Sequence, residues 1–217
     1  YCNMYDKACD LYDQICADGL EPDSMMYGCL MKFSVECGRT KLSRELSEKA
    51  PCLDIHNYMS LIRAAGRDRD VNRAFSVLEQ LRVSNVPVDI AAYNCVLNVC
   101  VCAGDLKRAC ELVDEIKSKS TPDVITYNTL LKGYCSSGKV KCARALLIEM
   151  EEAGHKPNDV SFNCLLNASV SSGSGNLHDV WELIDMMEKA GVAVDHYTIS
   201  IMMKALKKVR NQKDVNQ

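Results

Sequence analysis

Apolar positions recur along this chain on a long period. Residues 124–131 (VITYNTLL) align with 90–97 (IAAYNCVL) and with 159–166 (DVSFNCLL), and weaker copies start at Ser24, Ile55 and His196. The residues just before these starts are Asp23, Asp54, Asp89, Asp123, Asn158 and Asp195, spaced 31, 35, 34, 35 and 37 apart. A period in that range marks a stacked repeat array.

Each unit reads as two helices. The first carries an aromatic residue (Tyr27, Tyr58, Tyr93, Tyr127 or Phe162) and an apolar pair three and four residues on, such as Leu130 and Leu131. The second repeats the same steps through Val140, Ala143, Leu146, Leu147 and Met150, and again through Leu106, Ala109, Leu112, Val113 and Ile116. Both are helical periodicities, and no strand-like alternation competes with them. Gly38, Gly104 and Gly138 divide the two helices, where a left-handed backbone ends a helix. Gly19, Gly154 and Gly191 close second helices, and Pro22 and Pro157 follow three residues behind. The closing Asp or Asn then stands where the next helix needs an N-cap.

One helix pair cannot bury both of its apolar faces, so neighbours must stack. The predicted fold is all-α, a right-handed superhelical solenoid of antiparallel helix pairs: about six repeats of about 35 residues, the first and last incomplete. The boundaries are 1–23 (a second helix only), 24–54, 55–89, 90–123, 124–158, 159–195 and 196–217, in a single array. The Ser-Gly-rich stretch 171–175 accounts for the longest unit and reads as a two-residue insertion in the turn between helices.

Composition adds exclusions. No run approaches eighteen consecutive apolar residues, so no membrane span is expected. No targeting peptide is legible at Tyr1, and the natural chain is expected to extend further N-terminally. The thirteen cysteines form an odd set without metal spacing; Cys100 and Cys102 would point to different helical faces. Cys2, Cys9 and Cys16 would line one stripe. Packing and reduced thiols in an intracellular, reducing compartment are expected. His56, His155, His178 and His196 are scattered, and phosphate loops and nucleophile elbows are absent. Asp179 and Glu182 read as a solvated acidic face and Trp181 as packing. No catalytic residues, metal, cofactor or small-molecule substrate are expected.

The segment 124–158 resembles a pentatricopeptide repeat, on Thr126 to Leu131 (TYNTLL), Gly133, Gly138, Ala143, Met150, Gly154 and Pro157. The related tetratricopeptide pattern wants Gly and a small residue where Leu131 and Met150 stand. The resemblance spans the whole chain and is strongest over 90–195. It implies single-stranded RNA as partner, one base per repeat with the N-terminal unit on the 5′ base, in a mitochondrion or chloroplast. It implies that the fifth and last residues of a unit read the base and the second clamps it. Carried over, Asn94 with Asp123 and Asn163 with Asp195 resemble uridine readers, and Asn128 with Asn158 a cytidine-leaning pair. Ile125 and Val160 suit the clamp; Ala91 is small for it. These Asn residues would line the inner groove.

The first complete units depart from the pattern, with Gly28 and Met59 at the fifth place. Where family members often carry Lys late in the first helix, this chain has Glu36, Arg67, Cys102, Ser136, Ser171 and Lys208. The net charge of −3 and pI near 5.8 argue against non-specific nucleic-acid binding. First helices are nevertheless basic: Lys32, Arg63, Lys132, Lys204 and Lys207 against Glu36 and Asp159. Arg63 and Lys132 are the candidate phosphate contacts. The rival reading is a protein–protein scaffold, such as a subunit of an organellar ribosome or another large complex. The same residues would then serve only as N-caps and helix-terminal polar groups.

Overall fold

A computed structural model of the chain describes residues 2–50, 53–84, 86–171 and 177–215. Twelve helices and no strand occur among the described residues. After α1 (Cys2–Ala17) come five helix pairs: α2 (Ser24–Glu36) with α3 (Thr40–Lys49), α4 (Ile55–Arg67) with α5 (Val71–Val83), α6 (Ile90–Ala103) with α7 (Leu106–Lys119), α8 (Val124–Ser136) with α9 (Val140–Glu152), and α10 (Asp159–Ser171) with α11 (Leu177–Lys189). The last helix is α12 (His196–Val215). Turns of two or three residues join the members of the first four pairs, which makes them antiparallel neighbours. Residues 172–176, with most of the Ser-Gly-rich stretch, lie outside the described residues.

Helices α1–α7 belong to one compact body, Tyr1–Ser120, and α8–α12 to a second, Thr121–Gln217. In the first body α4 packs on α2, α3, α5 and α6; in the second, α10 packs on α8, α9, α11 and α12. Each of these two first helices therefore touches its own partner and the flanking units, the nearest-neighbour logic of a repeat array. The fourth-place aromatics Tyr27, Tyr58, Tyr93, Tyr127 and Phe162 are buried, with Met31, Ile62, Leu97, Leu131 and Leu166 one turn on. The second helices α3, α5, α7 and α9 each bury a small side chain near their start, Ser43, Ala74, Ala109 and Ala143.

Helix starts are set by side-chain caps. Asp23, Asp54, Asp89 and Asp123 each accept the backbone N–H three residues on, as do Asp70 and Asp105 before second helices. Such a cap contributes about 1 kcal/mol over Ala. Between the members of a pair, Gly38, Gly104 and Gly138 have φ of 81°, 79° and 69°, in the left-handed region that favours glycine. The unit from Ile55 holds Arg69 there, at φ 54°.

Neighbouring second helices are tied by ion pairs, Arg82 with Glu115 in the first body and Arg144 with Glu182 in the second (3.0 Å). Arg144 also donates to the Asp179 carbonyl at 3.2 Å. The acidic stretch of α11 is thus partly neutralised by the unit before it. Trp181 is not the packing residue expected: it stands about half exposed on α11, whose buried stripe is Val180, Leu183, Ile184 and Met187. Along the cysteine stripe of α1, Cys9 is buried whereas Cys16 is exposed.

Burial sorts the other thiols. It pushes Cys9 and Cys135 up to about 12 and Cys100 to about 11, with the nearby Cys37 and Cys164 acting in the same direction on the first two. Thiolate is the reactive form. Brief alkylation at pH 8 followed by peptide mass spectrometry should label exposed Cys16, Cys29, Cys102 and Cys142 well before Cys9, Cys100 and Cys135. Equal labelling would contradict this packing. Arg69 gives a second prediction. A non-glycine residue in the left-handed region costs about 1 kcal/mol, partly offset by the greater unfolded-state freedom of glycine. Arg69→Gly should stabilise the chain by about 0.5 kcal/mol, read as a rise of a degree or more in Tm. A lowered Tm would show that Arg69 is at ease there.

Candidate functional site

The second, fifth and ninth residues of a first helix are three and four apart, so they share one stripe. Second-place side chains are mostly open: Ile125 is 60% exposed, Val160 50% and Tyr197 53%, with Met25 and His56 in the first body also exposed and Ala91 half-buried. At the ninth place stand Lys32, Arg63, Asn98, Lys132, Asn167 and Lys204, all exposed except half-buried Asn167. Four of the six are cations, so the stripe runs from mostly apolar to basic. Arg63 lies beside Cys95 and Lys132 beside Cys164, where each cation partly offsets the burial that raises the thiol. Each basic group therefore reaches over the unit after its own.

Between these rows sit the amides. In the second body the residue closing a unit caps the next helix: Asn158 Oδ1 accepts from the Ser161 N–H at 3.1 Å, and Asp195 Oδ1 from the Thr198 N–H at 2.6 Å. The fifth-place amide is bonded to this closing residue. Asn128 Nδ2 donates to Asn158 Oδ1 at 3.3 Å, and Asn163 Nδ2 to Asp195 Oδ1 at 3.5 Å. The amide oxygen faces the third residue of the following unit. Ser161 Oγ donates to Asn128 Oδ1 at 2.5 Å, and Thr198 Oγ1 to Asn163 Oδ1 at 2.7 Å. With the oxygen engaged on the protein side, the amide turns an N–H outward. Asn163 is buried and Asn128 half-buried, so both amides are deeply seated.

Asn94 is buried in the first body, while Asp123, half-buried, caps α8 in the second, accepting the Thr126 N–H at 2.8 Å. Asp195 is exposed. The backbone N–H and then the hydroxyl of Thr198 hold its carboxyl below the usual range, so it is an acceptor at neutral pH.

These groups line a cavity. Val160, Asn163, Cys164, Asn167, Asp195 and Tyr197, with Asp159, enclose about 300 Å³ in the second body. Two second-place side chains, Val160 and Tyr197, contribute to its walls, together with the amide–carboxylate pair Asn163 and Asp195. Three participants escaped the sequence reading. Tyr197 was missed because the unit from His196 aligns loosely. Ser161 and Thr198 were missed because a hydroxyl three residues after an N-cap reads as a capping element and nothing more.

The late basic residues do something else. Arg67 donates to the Glu36 carbonyl at 3.3 Å and pairs with its carboxylate at 3.5 Å; Lys208 donates to the Val170 carbonyl at 2.8 Å. Both place a cation on the carboxyl end of the preceding first helix, where it complements the helix dipole.

Two family models match the chain. One, described as a PPR repeat family, covers residues 122–171; the other, described as a pentatricopeptide repeat-containing protein, covers residues 56–116. The chain is 26% identical over 212 residues to the Arabidopsis thaliana small ribosomal subunit protein mL103, across 91% of this chain and 50% of that protein. It is 26% identical over 216 residues to an Arabidopsis thaliana pentatricopeptide repeat-containing protein designated mitochondrial, across 92% and 50%. The chain thus spans about half the length of these relatives. Among solved structures it is similar to the pentatricopeptide repeat protein PPR10 from maize, with TM-score 0.70 and 22% identity over 93% of this chain and 31% of that one. A structure of PPR10 in complex with an 18-nt RNA element matches with TM-score 0.58 and 18% identity, across 92% and 35%. The repeat period, the capped helix pairs and these matches agree: the chain belongs to the pentatricopeptide repeat family.

Proposed function

We propose that this chain binds single-stranded RNA, one base per unit, leaning to pyrimidines over 90–195, and acts as a binding surface rather than as an enzyme. The observation that carries the reading is the cavity of Val160, Tyr197, Asn163 and Asp195. It offers apolar and aromatic walls for a flat ring and two polar groups at one edge, the arrangement that seats an unstacked base. The complex of PPR10 with RNA supports it for a protein of the same fold.

The bonding of two of the pairs supports a base preference. Asn163 presents an N–H and Asp195 a carboxylate acceptor. Uracil has a carbonyl and an N3–H to match, whereas the N3 of cytosine would face the carboxylate as a second acceptor. Asn128 and Asn158 pair through Asn158 Oδ1, which leaves amide N–H groups on both residues. Two donors suit the O2 and N3 acceptors of cytosine. Asn94 and Asp123 carry the uridine-type combination. Ile125 and Val160 act as clamps, Arg63 and Lys132 as phosphate contacts, and the organelle is a mitochondrion or chloroplast.

Three read bases at about 1–3 kcal/mol each give roughly 3–9 kcal/mol before ordering costs. A micromolar complex needs about 8 kcal/mol, so affinity on these three units alone is weak. That weakness, the net charge of −3 and the ribosomal relative favour a second reading: a protein–protein scaffold within an organellar ribosome or another large complex.

Filter binding of U-rich and A-rich hexamers at two salt concentrations separates the two. The parent should prefer the U-rich RNA. Asn128→Ala should weaken it by about 1–3 kcal/mol and leave the salt slope unchanged. Lys132→Ala should weaken both RNAs alike and flatten the slope by about 0.7. Equal affinity for both RNAs, untouched by Asn128→Ala, would favour the scaffold.

A further inference from the structure

The unit 24–54 has Gly28 at the fifth place and so lacks the side chain that reads a base elsewhere. The space is not empty. A Cβ placed on Gly28 would meet Asn57 Oδ1 at 3.0 Å, with Asn57 Cγ and Nδ2 at 3.8 Å. Asn57 is the third residue of the following unit, the place that Ser161 and Thr198 hold in the second body. There a hydroxyl supports the fifth-place amide; here the third place carries the amide itself and lays it over the bare backbone of Gly28.

We infer that Asn57 is the base-reading residue of the unit 24–54, an amide supplied by the next unit in exchange for the missing fifth side chain, and that with Asp54 it takes a uracil-type base. Three observations converge. Asn57 is 5% exposed, yet its amide forms no hydrogen bond among the described residues. Its polar atoms are not sealed from solvent, so a ligand can reach the amide and bond it. Asp54 accepts the Asn57 backbone N–H at 2.8 Å through Oδ1 and is exposed, which repeats the cap and carboxylate of Asp195. The second-place side chains of the two flanking units, Met25 and His56, are exposed and in register with Val160 and Tyr197, which wall the cavity of the second body.

The exchange also accounts for Gly28. A fifth-place side chain would crowd the Asn57 amide, whereas glycine leaves it room. The next unit marks the contrast. Met59 at its fifth place is followed by Ala92 at the third place of the unit from Ile90, so neither position offers an amide and that base is left unread.

The inference rests on the proposed base-per-unit reading, and one experiment separates the two. Fluorescence anisotropy is measured for the full chain with labelled heptauridine and its seven single-adenosine variants. In the parent, one position should lose roughly fivefold or more in affinity on going to adenosine, three nucleotides 5′ of the position read by Asn128, since three units separate them. Asn57→Ala and Asn57→Thr should erase that penalty and no other. Gly28→Asn combined with Asn57→Thr rebuilds the arrangement of the second body and should restore it. Circular dichroism melts identify any variant that fails to fold, and the Thr variants keep a hydroxyl at the third place. If Asn128→Ala erases its own penalty while the Asn57 variants erase none, the inference is overturned and the base-per-unit reading stands. If neither residue controls any position, both fall.

Discussion

The residue that closes one unit is also the residue that starts the next helix, and the candidate site depends on that double duty. Asp195 and Asn158 each spend one oxygen on a backbone N–H three residues on. The bond fixes the side chain at the seam between units and sets the start of the following helix. Its position then holds the fifth-place amide, which donates to the same oxygen. A cap contributes about 1 kcal/mol to folding, but its larger consequence is geometric. Since α8 and α10 begin at the same register relative to their caps, Asp123 and Asn158, their second places (Ile125, Val160) and fifth places (Asn128, Asn163) present equivalent chemistry one unit apart.

Much of the fold was legible because it is written in local rules. Helix starts at Ser24, Ile55, Ile90, Val124, Asp159 and His196 follow from Asp or Asn before an apolar period, and the glycine breaks follow from positive φ. Arg69 shows where such rules stop: nothing local announces an arginine in the left-handed region. Trp181 shows another boundary, since helical periodicity names a stripe without saying how far its flanks are covered. Both depend on tertiary packing, which one helix does not encode.

The candidate site was legible as positions but not as bonds. Asn128 and Asn163 stand out in the alignment of units; their partners Ser161 and Thr198 do not, because each bond crosses from one unit into the next. Asn57 is an extreme case, since reading units one at a time leaves Gly28 as a gap. The electrostatics follow the same division. A net acidic chain hides a ninth-place row of Lys32, Arg63, Lys132 and Lys204, while its acids concentrate on second helices and are partly spent on Arg82 and Arg144. The late cations Arg67 and Lys208, which lie nearer the family's phosphate place, are occupied with helix ends.

The central claim is that the seated amides meet a base directly, and the most direct measurement watches those amides. In a chain labelled with ¹⁵N at asparagine, the side-chain NH₂ resonances of Asn128 and Asn163 can be assigned by substitution and followed as a mixed uridine–cytidine oligomer or oligoadenosine is added. The account predicts that both resonances shift with the pyrimidine oligomer and stay nearly still with oligoadenosine, while an exposed second-helix residue such as Asn72 responds to neither. Asn128 and Asn163 unmoved by the saturating pyrimidine oligomer would contradict it.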